Sequence, residues 1–406
     1  MIDPSRALDL CREIAACTEV PGQITRTFLS PAMRDCHRLL STRMQQLGMH
    51  VHTDPIGNLR GLYGAGNRPR LLIGSHLDTV PDAGAYDGVL GVAIALAIVE
   101  ALPPQTLPFD IEVIGFSEEE GVRFRKPFFG SLAAIGRFDP QWLCLRDESG
   151  CSLREAIAQF GLDPEKIPDA AVDPRAFAFL EFHIEQGPLL DRANAPLAAV
   201  SAIAGQSRLH VVFRGRANHA GATPMNLRHD ALAAAAEWIT AVERTARSVD
   251  RLVATVGSLH VSPNASNVIP SEVRASLDVR HSCDATRIAA VQAICEEARR
   301  IAAHRLLDIL VQEQLNQDSV SMDEELTAAL ERALQNIGEP PRRMPSGAGH
   351  DAMIIASKIP SAMLFIRSID GVSHHPAEAV HAEDIEKAIR AGVAILADLA
   401  QERQHS

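Results

Sequence analysis

The chain has 406 residues, more than one ordinary hydrophobic core accommodates, so two domains are expected. Hydrophobic residues make up 46% and charged residues 22%, a globular balance that argues against disorder. The net charge of −12, from 39 basic and 51 acidic residues, disfavours nucleic-acid binding and suits a soluble cytoplasmic protein.

Along the chain, Met1-Ile2-Asp3-Pro4 lacks the charged-then-apolar pattern of a secretory signal, so none is expected. Residues 5–17 and 30–47 space Leu, Ile, Ala and Met as helices do, and Gly48 sits where a C-cap belongs, before a strand at 49–53. Leu59 to Tyr63 and Leu71 to Gly74 read as strands. The apolar run Val89 to Val99 contains Gly91 and ends at Glu100, which is too short to span a bilayer. It reads as a buried helix over 89–102, and no membrane partner is expected. Phe109 to Phe116 reads as another buried strand, and this alternation indicates an α/β sheet.

The ends of these apolar runs carry the chemistry. Gly74-Ser75-His76-Leu77-Asp78 is followed by Tyr86-Asp87-Gly88, and Phe116 by Ser117-Glu118-Glu119-Glu120-Gly121. A lone His76 is more often a satisfied core histidine than a ligand, and Asp87 alone is equally a turn residue or N-cap. Asp78 falls two residues after His76, on the same face of an extended chain, where a carboxylate can orient a metal-bound imidazole. Three adjacent glutamates repel one another. A solvated turn is the ordinary explanation, but at the carboxyl end of a central strand a cation explains them better. Of two such neighbours, one can ligate while the other takes a proton from water. Leu180 to Pro188 carries His183, Glu185 and Gln186 from a strand into a turn. Ser373-His374-His375-Pro376-Ala377-Glu378 follows a strand at 361–366. His, Asp, Glu, His and His together form the mixed nitrogen and oxygen set of a metal-dependent hydrolase. Five ligands exceed what one tetrahedral ion needs, and one shared carboxylate between two ions accounts for the surplus.

The middle of the chain reads differently. Strands at 209–213, 252–261, 273–280 and 307–312 and helices at 230–247 and 286–304 give the order β-α-β-β-α-β, a ferredoxin-like split βαβ. The α/β pattern then resumes, with helices near 324–336 and 350–357, the strand at 361–366 and a closing helix at 382–402. A small domain over 207–318 is therefore expected inside a larger one made of 1–206 and 319–406. The small domain carries Asn218-His219-Ala220-Gly221, Asn267 and Arg280. Arg280 can clamp a substrate carboxylate or simply pair with Asp278, and residue type alone leaves both open. The run Ser346-Gly347-Ala348-Gly349-His350-Asp351 opens a helix but lacks the lysine of a nucleotide-binding loop. Seven scattered cysteines without a C-x-x-C pair argue against a disulfide framework.

These motifs, in this order and over residues 5–400, resemble the M20-type amidases of the allantoate amidohydrolase, N-carbamoyl-L-amino-acid hydrolase and β-ureidopropionase group. The run His183-Ile184-Glu185-Gln186-Gly187-Pro188 separates that group from related aminoacylases and dipeptidases. The resemblance implies a zinc-peptidase-like α/β catalytic domain with a mixed sheet, plus an inserted ferredoxin-like domain that dimerises and acts as a lid. It implies two divalent ions per subunit, Mn2+ or Zn2+, with Co2+ or Ni2+ also accommodated. His76, Asp87, Glu120, His183 and His374 would hold them, with Asp87 bridging. Glu119 would be the general base and Asp78 would orient His76. Gln186, His219, Asn267, Arg280, Gly349 and His350 would bind substrate, Arg280 through its carboxylate. His219 and Asn267 would come from the partner of a homodimer. The family's Ser-His-Asn-Pro-Ala-Glu is here Ser373-His374-His375-Pro376-Ala377-Glu378, and the flanking residues set His374 as ligand and His375 as the substitution. Glu118 receives no role. The implied reaction is hydrolysis of a linear ureido carboxylate with release of ammonia and carbon dioxide. Allantoate is the first substrate, N-carbamoyl-L-amino acids are the second, and a di-metal aminoacylase or peptidase is the further alternative.

Overall fold

The computed structural model describes residues 3–102 and 107–405. Its strands in chain order are β1 (His50–Thr53), β2 (Leu59–Tyr63), β3 (Arg70–His76), β4 (Asp110–Phe116), β5 (Ala176–Ile184), β6 (Leu197–Ile203), β7 (Gly205–Arg214), β8 (Val253–Thr255), β9 (Leu259–Ser262), β10 (Glu272–His281), β11 (Asp308–Gln317), β12 (Val320–Ser321), β13 (Arg343–Ser346) and β14 (Ser361–Ile366). The chain forms two compact units. One comprises Met1–Ser201, Met322–Met344 and Ala348–Ser406; the other comprises Ala202–Ser321 and Pro345–Gly347.

The first unit is a mixed α/β structure. Its sheet runs β1-β2-β4-β3-β5-β14-β6. The four middle strands, β4, β3, β5 and β14, are mutually parallel; β2 and β6 flank them antiparallel, and β1 lies antiparallel on β2 at the edge. Every residue of β3, β4 and β14 is buried, as parallel strands covered on both faces require. Helix Val89–Ala101 packs on β3 and β5 and against helices Ser5–Ala15 and Ala382–His405. Apolar residues surround most of its circumference and it is almost wholly buried along its length until Glu100, in line with its unbroken hydrophobic run. Because the middle strands are parallel, their carboxyl ends share one edge. His76 pairs with Phe116 in the β3–β4 ladder, and Phe365 pairs with His183 in the β14–β5 ladder. The chemistry-bearing residues at these strand ends are therefore drawn together by register.

The second unit places β11-β7-β10-β8 side by side, with β9 also on β10, and all neighbours antiparallel. Helices Ala231–Ser248 and Asp284–His304 pack on this sheet around Trp238, Phe213 and Ile294. The Asp230 carboxylate caps the first of them by accepting from the Leu232 and Ala233 amides. The single strand expected over 252–261 is instead two, β8 and β9. Asp278 pairs with Thr255 and Ala275 with Leu259, so β10 advances three residues while its partner advances four. The extra residue is a bulge, which periodicity does not reveal. Helices Phe129–Ala134 and Leu153–Gln159 and strands β6 and β13 were also not legible. All are short, and β6 is apolar without alternation. Among the described residues, no helix is long and apolar enough to cross a membrane.

Candidate metal centre

At the shared strand edge of the first unit, Asp87 lies between two groups of side chains. His76, Asp87 and His183 offer atoms within 4.8 Å of one another, and so do Asp87, Glu120 and His374. The two carboxylate oxygens divide between them. Oδ1 is 3.3 Å from His183 Nε2 and 3.8 Å from His76 Nε2, while Oδ2 is 3.0 Å from His374 Nε2, which is itself 3.5 Å from Glu120 Oε1. Asp87 is held in place by Gly88, whose φ of +67° favours glycine and whose ideal Cβ would lie 2.5 Å from the His76 ring. Glu119 joins His76 and Glu120 in a third such group.

The donor set fits cations. His76 Nδ1 lies 3.0 Å from the Asp78 carbonyl and His183 Nδ1 lies 2.9 Å from the Ile184 carbonyl. A carbonyl accepts only, so each Nδ1 carries the hydrogen, and in the neutral rings both Nε2 atoms present lone pairs. These lone pairs face each other at 3.4 Å, beside the Asp87 carboxylate. Two facing lone pairs repel, and either a proton on one ring or a cation between them removes that repulsion. The electrostatics agree. Burial pushes the Glu120 carboxyl up to about 7 and the Glu119 carboxyl well above its ordinary range. Burial also drives His183 down to about 4. Burial disfavours charge on Asp87 as well, yet its hydrogen bond to His374 and the His183 and His76 imidazoles hold its carboxyl below the usual range. Although burial opposes it, the Glu119, Asp87, Asp78 and Glu120 carboxylates hold His76 well above its ordinary value, and the hydrogen bond to Asp87 raises His374. Carboxylates crowded this closely draw in positive charge, whether protons on the imidazoles or a bound cation.

Other residues singled out from the sequence fall as follows. The Asp78 carboxylate does not make the expected close bond to His76. It stands 4.0 Å from Nδ1 and accepts instead from the Glu119 and Glu120 amides, 3.0 Å each. Only its backbone carbonyl holds the imidazole, because the chain turns after β3 and the extended geometry ends there. Glu118 adopts φ of +56° and its buried carboxylate accepts from the Arg123 amide at 3.2 Å, folding the turn that presents Glu119 and Glu120. Gln186 Nε2 donates to both oxygens of Asp87 at 3.1 Å. The buried His350 ring packs edge-on against His183, centroids 4.4 Å apart, and Gly349 precedes it. His375 Nδ1 accepts from the Ala377 amide within its own turn, so His374 alone of the pair joins the cluster.

The remaining three residues belong to the second unit. His219 Nδ1 accepts from the Gly221 and Ala222 amides, which leaves the hydrogen of the neutral ring on Nε2. The Ala220 amide donates to the Asn267 carbonyl, joining those two loops. Arg280 makes a two-point ion pair with Asp278, at 2.8 and 3.2 Å, and donates to the Gly347 carbonyl. The buried carboxylates Glu181, Asp351 and Glu378 received no role from the sequence, although Asp351 and Glu378 stand within its motifs. Glu181 had a signal, since it alternates with His183 along β5.

Residues 72–402 match the family described as Peptidase family M20/M25/M40. The chain is 39% identical over 390 residues to an N-carbamoyl-L-amino acid amidohydrolase of Geobacillus stearothermophilus, covering 95% of each. It is 36% identical over 390 residues to an allantoate amidohydrolase of Bacillus subtilis, covering 93% of each. A hydantoinase/carbamoylase family amidase from Burkholderia multivorans superimposes with a TM-score of 0.91 at 30% identity, covering 98% of each chain. The chain belongs to the peptidase family M20/M25/M40, in which it is a hydrolase of linear amides.

Proposed function

We propose that this enzyme hydrolyses a linear ureido group, R-NH-CO-NH2, with allantoate as its substrate. The observation that carries the reading is the division of the Asp87 carboxylate between the His76–His183 pair and the Glu120–His374 pair. Two divalent ions, Mn2+ or Zn2+, would be held by these five residues with Asp87 bridging. When bound, they would polarise the ureido carbonyl and acidify a water molecule. Glu119 takes a proton from water as the oxygen bonds to the carbonyl carbon, then returns it to the terminal nitrogen, which departs as ammonia as its C–N bond breaks and leaves the carbamate R-NH-COO⁻. The carbamate product decomposes to carbon dioxide and amine. Glu118 and Asp78 hold the turn that carries Glu119, so the base is fixed before substrate arrives.

In this reading residues 1–206 and 319–406 are the catalytic domain, and 207–318 are a ferredoxin-like dimerisation and lid domain of a cytoplasmic homodimer. Gln186, Gly349, His350, His219, Asn267 and Arg280 bind substrate, with His219 and Asn267 from the partner subunit. Arg280 exchanges Asp278 for the substrate carboxylate. A second reading, an N-carbamoyl-L-amino-acid substrate, is favoured by the 39% identity to the Geobacillus enzyme. The deciding experiment measures ammonia release from allantoate, N-carbamoyl-L-amino acids, N-carbamoyl-β-alanine and ureidoglycolate, each with added Mn2+ or Zn2+. Allantoate is expected to give the highest kcat/KM. A higher value for an N-carbamoyl-L-amino acid selects the second reading, and release of an amino acid from a peptide or acyl substrate without ammonia overturns both.

A further inference from the structure

Asp87 lies in the loop between β3 and helix Val89–Ala101, and His374 lies in the loop after β14, so nothing local fixes one against the other. Glu378 joins them. Its Oε1 accepts from the Tyr86 amide at 2.8 Å and the Asp87 amide at 3.1 Å, and its Oε2 stands 3.3 Å from the Ser373 hydroxyl. Ser373 Oγ is in turn 3.5 Å from Asp87 Oδ2. Glu378 is only 6% exposed. Across from it stands Gly84, where an added Cβ would overlap the Glu378 Cβ and Oε1. The carboxylate thus occupies a space that a glycine leaves open, and both amides of the Asp87 loop point at one of its oxygens.

We propose that Glu378 is the positioning residue that sets Asp87 against His374, acting as a hydrogen-bond acceptor for the 86–87 backbone. The inference rests on the reading above that Asp87 and His374 hold metal. Groups that orient ligands from behind in this way typically govern metal affinity about ten- to a hundredfold. Because both amides go to Oε1, Glu378→Gln keeps the acceptor and Glu378→Ala removes it.

The test uses the full-length protein loaded with Mn2+, dialysed against graded chelator, with retained metal measured by elemental mass spectrometry. Glu378→Ala is expected to weaken Mn2+ retention about ten- to a hundredfold. Glu378→Gln is expected to stay within about threefold of wild type, since the two backbone bonds survive. Gly84→Ala, which displaces the same side chain from the other side, is expected to weaken retention in the same direction. Wild-type retention by Glu378→Ala or by Gly84→Ala overturns the proposal. A Glu378→Gln variant as weak as Glu378→Ala also overturns it, since charge and not the acceptor would then matter. Circular dichroism identifies an unfolded Glu378→Ala, in which case Gly84→Ala and Glu378→Gln decide. Asp87→Ala is the control: if it too retains Mn2+, the failure is that of the metal-centre reading beneath.

Discussion

Glu119 and Glu120 are neighbours of one residue type, and their surroundings separate them. Both amides are held by Asp78 and both side chains stand with His76, but Glu120 alone also faces His374, across 3.5 Å, in the group around Asp87. Glu119→Gln keeps the shape and removes the base. It is expected to lower kcat by about 10²–10⁴-fold with KM and bound metal little changed, measured by steady-state ammonia release and metal analysis. Arg280 shows the opposite outcome, a residue whose two sequence readings are not exclusive. It is paired with Asp278 in this structure, and Arg280→Ala is expected to raise KM for a ureido carboxylate about tenfold or more while sparing kcat. An unchanged KM removes the clamp. His37 concerns stability instead. It is buried, neither ring nitrogen has a hydrogen-bond partner, and burial pushes it down from 6.5 to about 4. The unfolded chain therefore takes up the proton first as pH falls. Stability tied to the neutral ring is complete above about pH 6.5 and drains away toward pH 4. His37→Phe is expected to reduce the stability lost between pH 7.5 and 5.5 by about 1 kcal/mol, read from urea unfolding at the two pH values.

At the scale of elements, helix Val89–Ala101 ties the metal loop to the sheet. Asp87 and Gly88 lead directly into it, and its Gly91 lies so close to β5 that an added Cβ would strike the Phe182 carbonyl and the Ser75 side chain. The contact is with backbone, which has no rotamer to yield. Gly91→Ala is therefore expected to cost about 1–3 kcal/mol, seen as a lowered Tm, and to shift the Asp87 loop enough to weaken metal retention. A Tm equal to wild type would show that the helix can lift from β5 freely. The apolar pattern made this helix legible, and the same pattern exposed β3, β4 and β14. It did not expose the β8–β9 bulge or the short helices at 129–134 and 153–159, whose conformations depend on caps and neighbours more than on periodicity.

For the whole molecule, the metal centre makes stability depend on ligand concentration. Its side chains come from β3, the loop before helix Val89–Ala101, the turn after β4, β5 and the loop after β14, which span most of the first unit. A cation held by all of them binds the folded chain only. Free metal at a hundredfold above its Kd adds about 2.7 kcal/mol at one site. Chelation is expected to abolish ammonia release and lower Tm, and added Mn2+ or Zn2+ to restore both, read by activity assay and scanning calorimetry. A Tm indifferent to chelator would show that these side chains hold no cation in the folded chain.

The sequence by itself determined where the reactive groups lie along the chain. Parallel strands are apolar runs, their ends are marked by the first polar residues, and parallel packing brings those ends to one edge. His76, Glu119, Glu120 and His183 were placed at strand ends for that reason, whereas His374, beyond a further turn after β14, was singled out through the resemblance of its motif. Only the tertiary structure decided how the groups share the work. The Asp78 carboxylate grips the amides of Glu119 and Glu120 in place of the bond expected to the His76 imidazole, because the chain turns sharply after β3. The two oxygens of Asp87 face different partners, and Glu378 reaches the Asp87 amide across 291 residues of chain. Such contacts are set by packing between distant segments, and local patterns of charge and hydrophobicity carry no record of them.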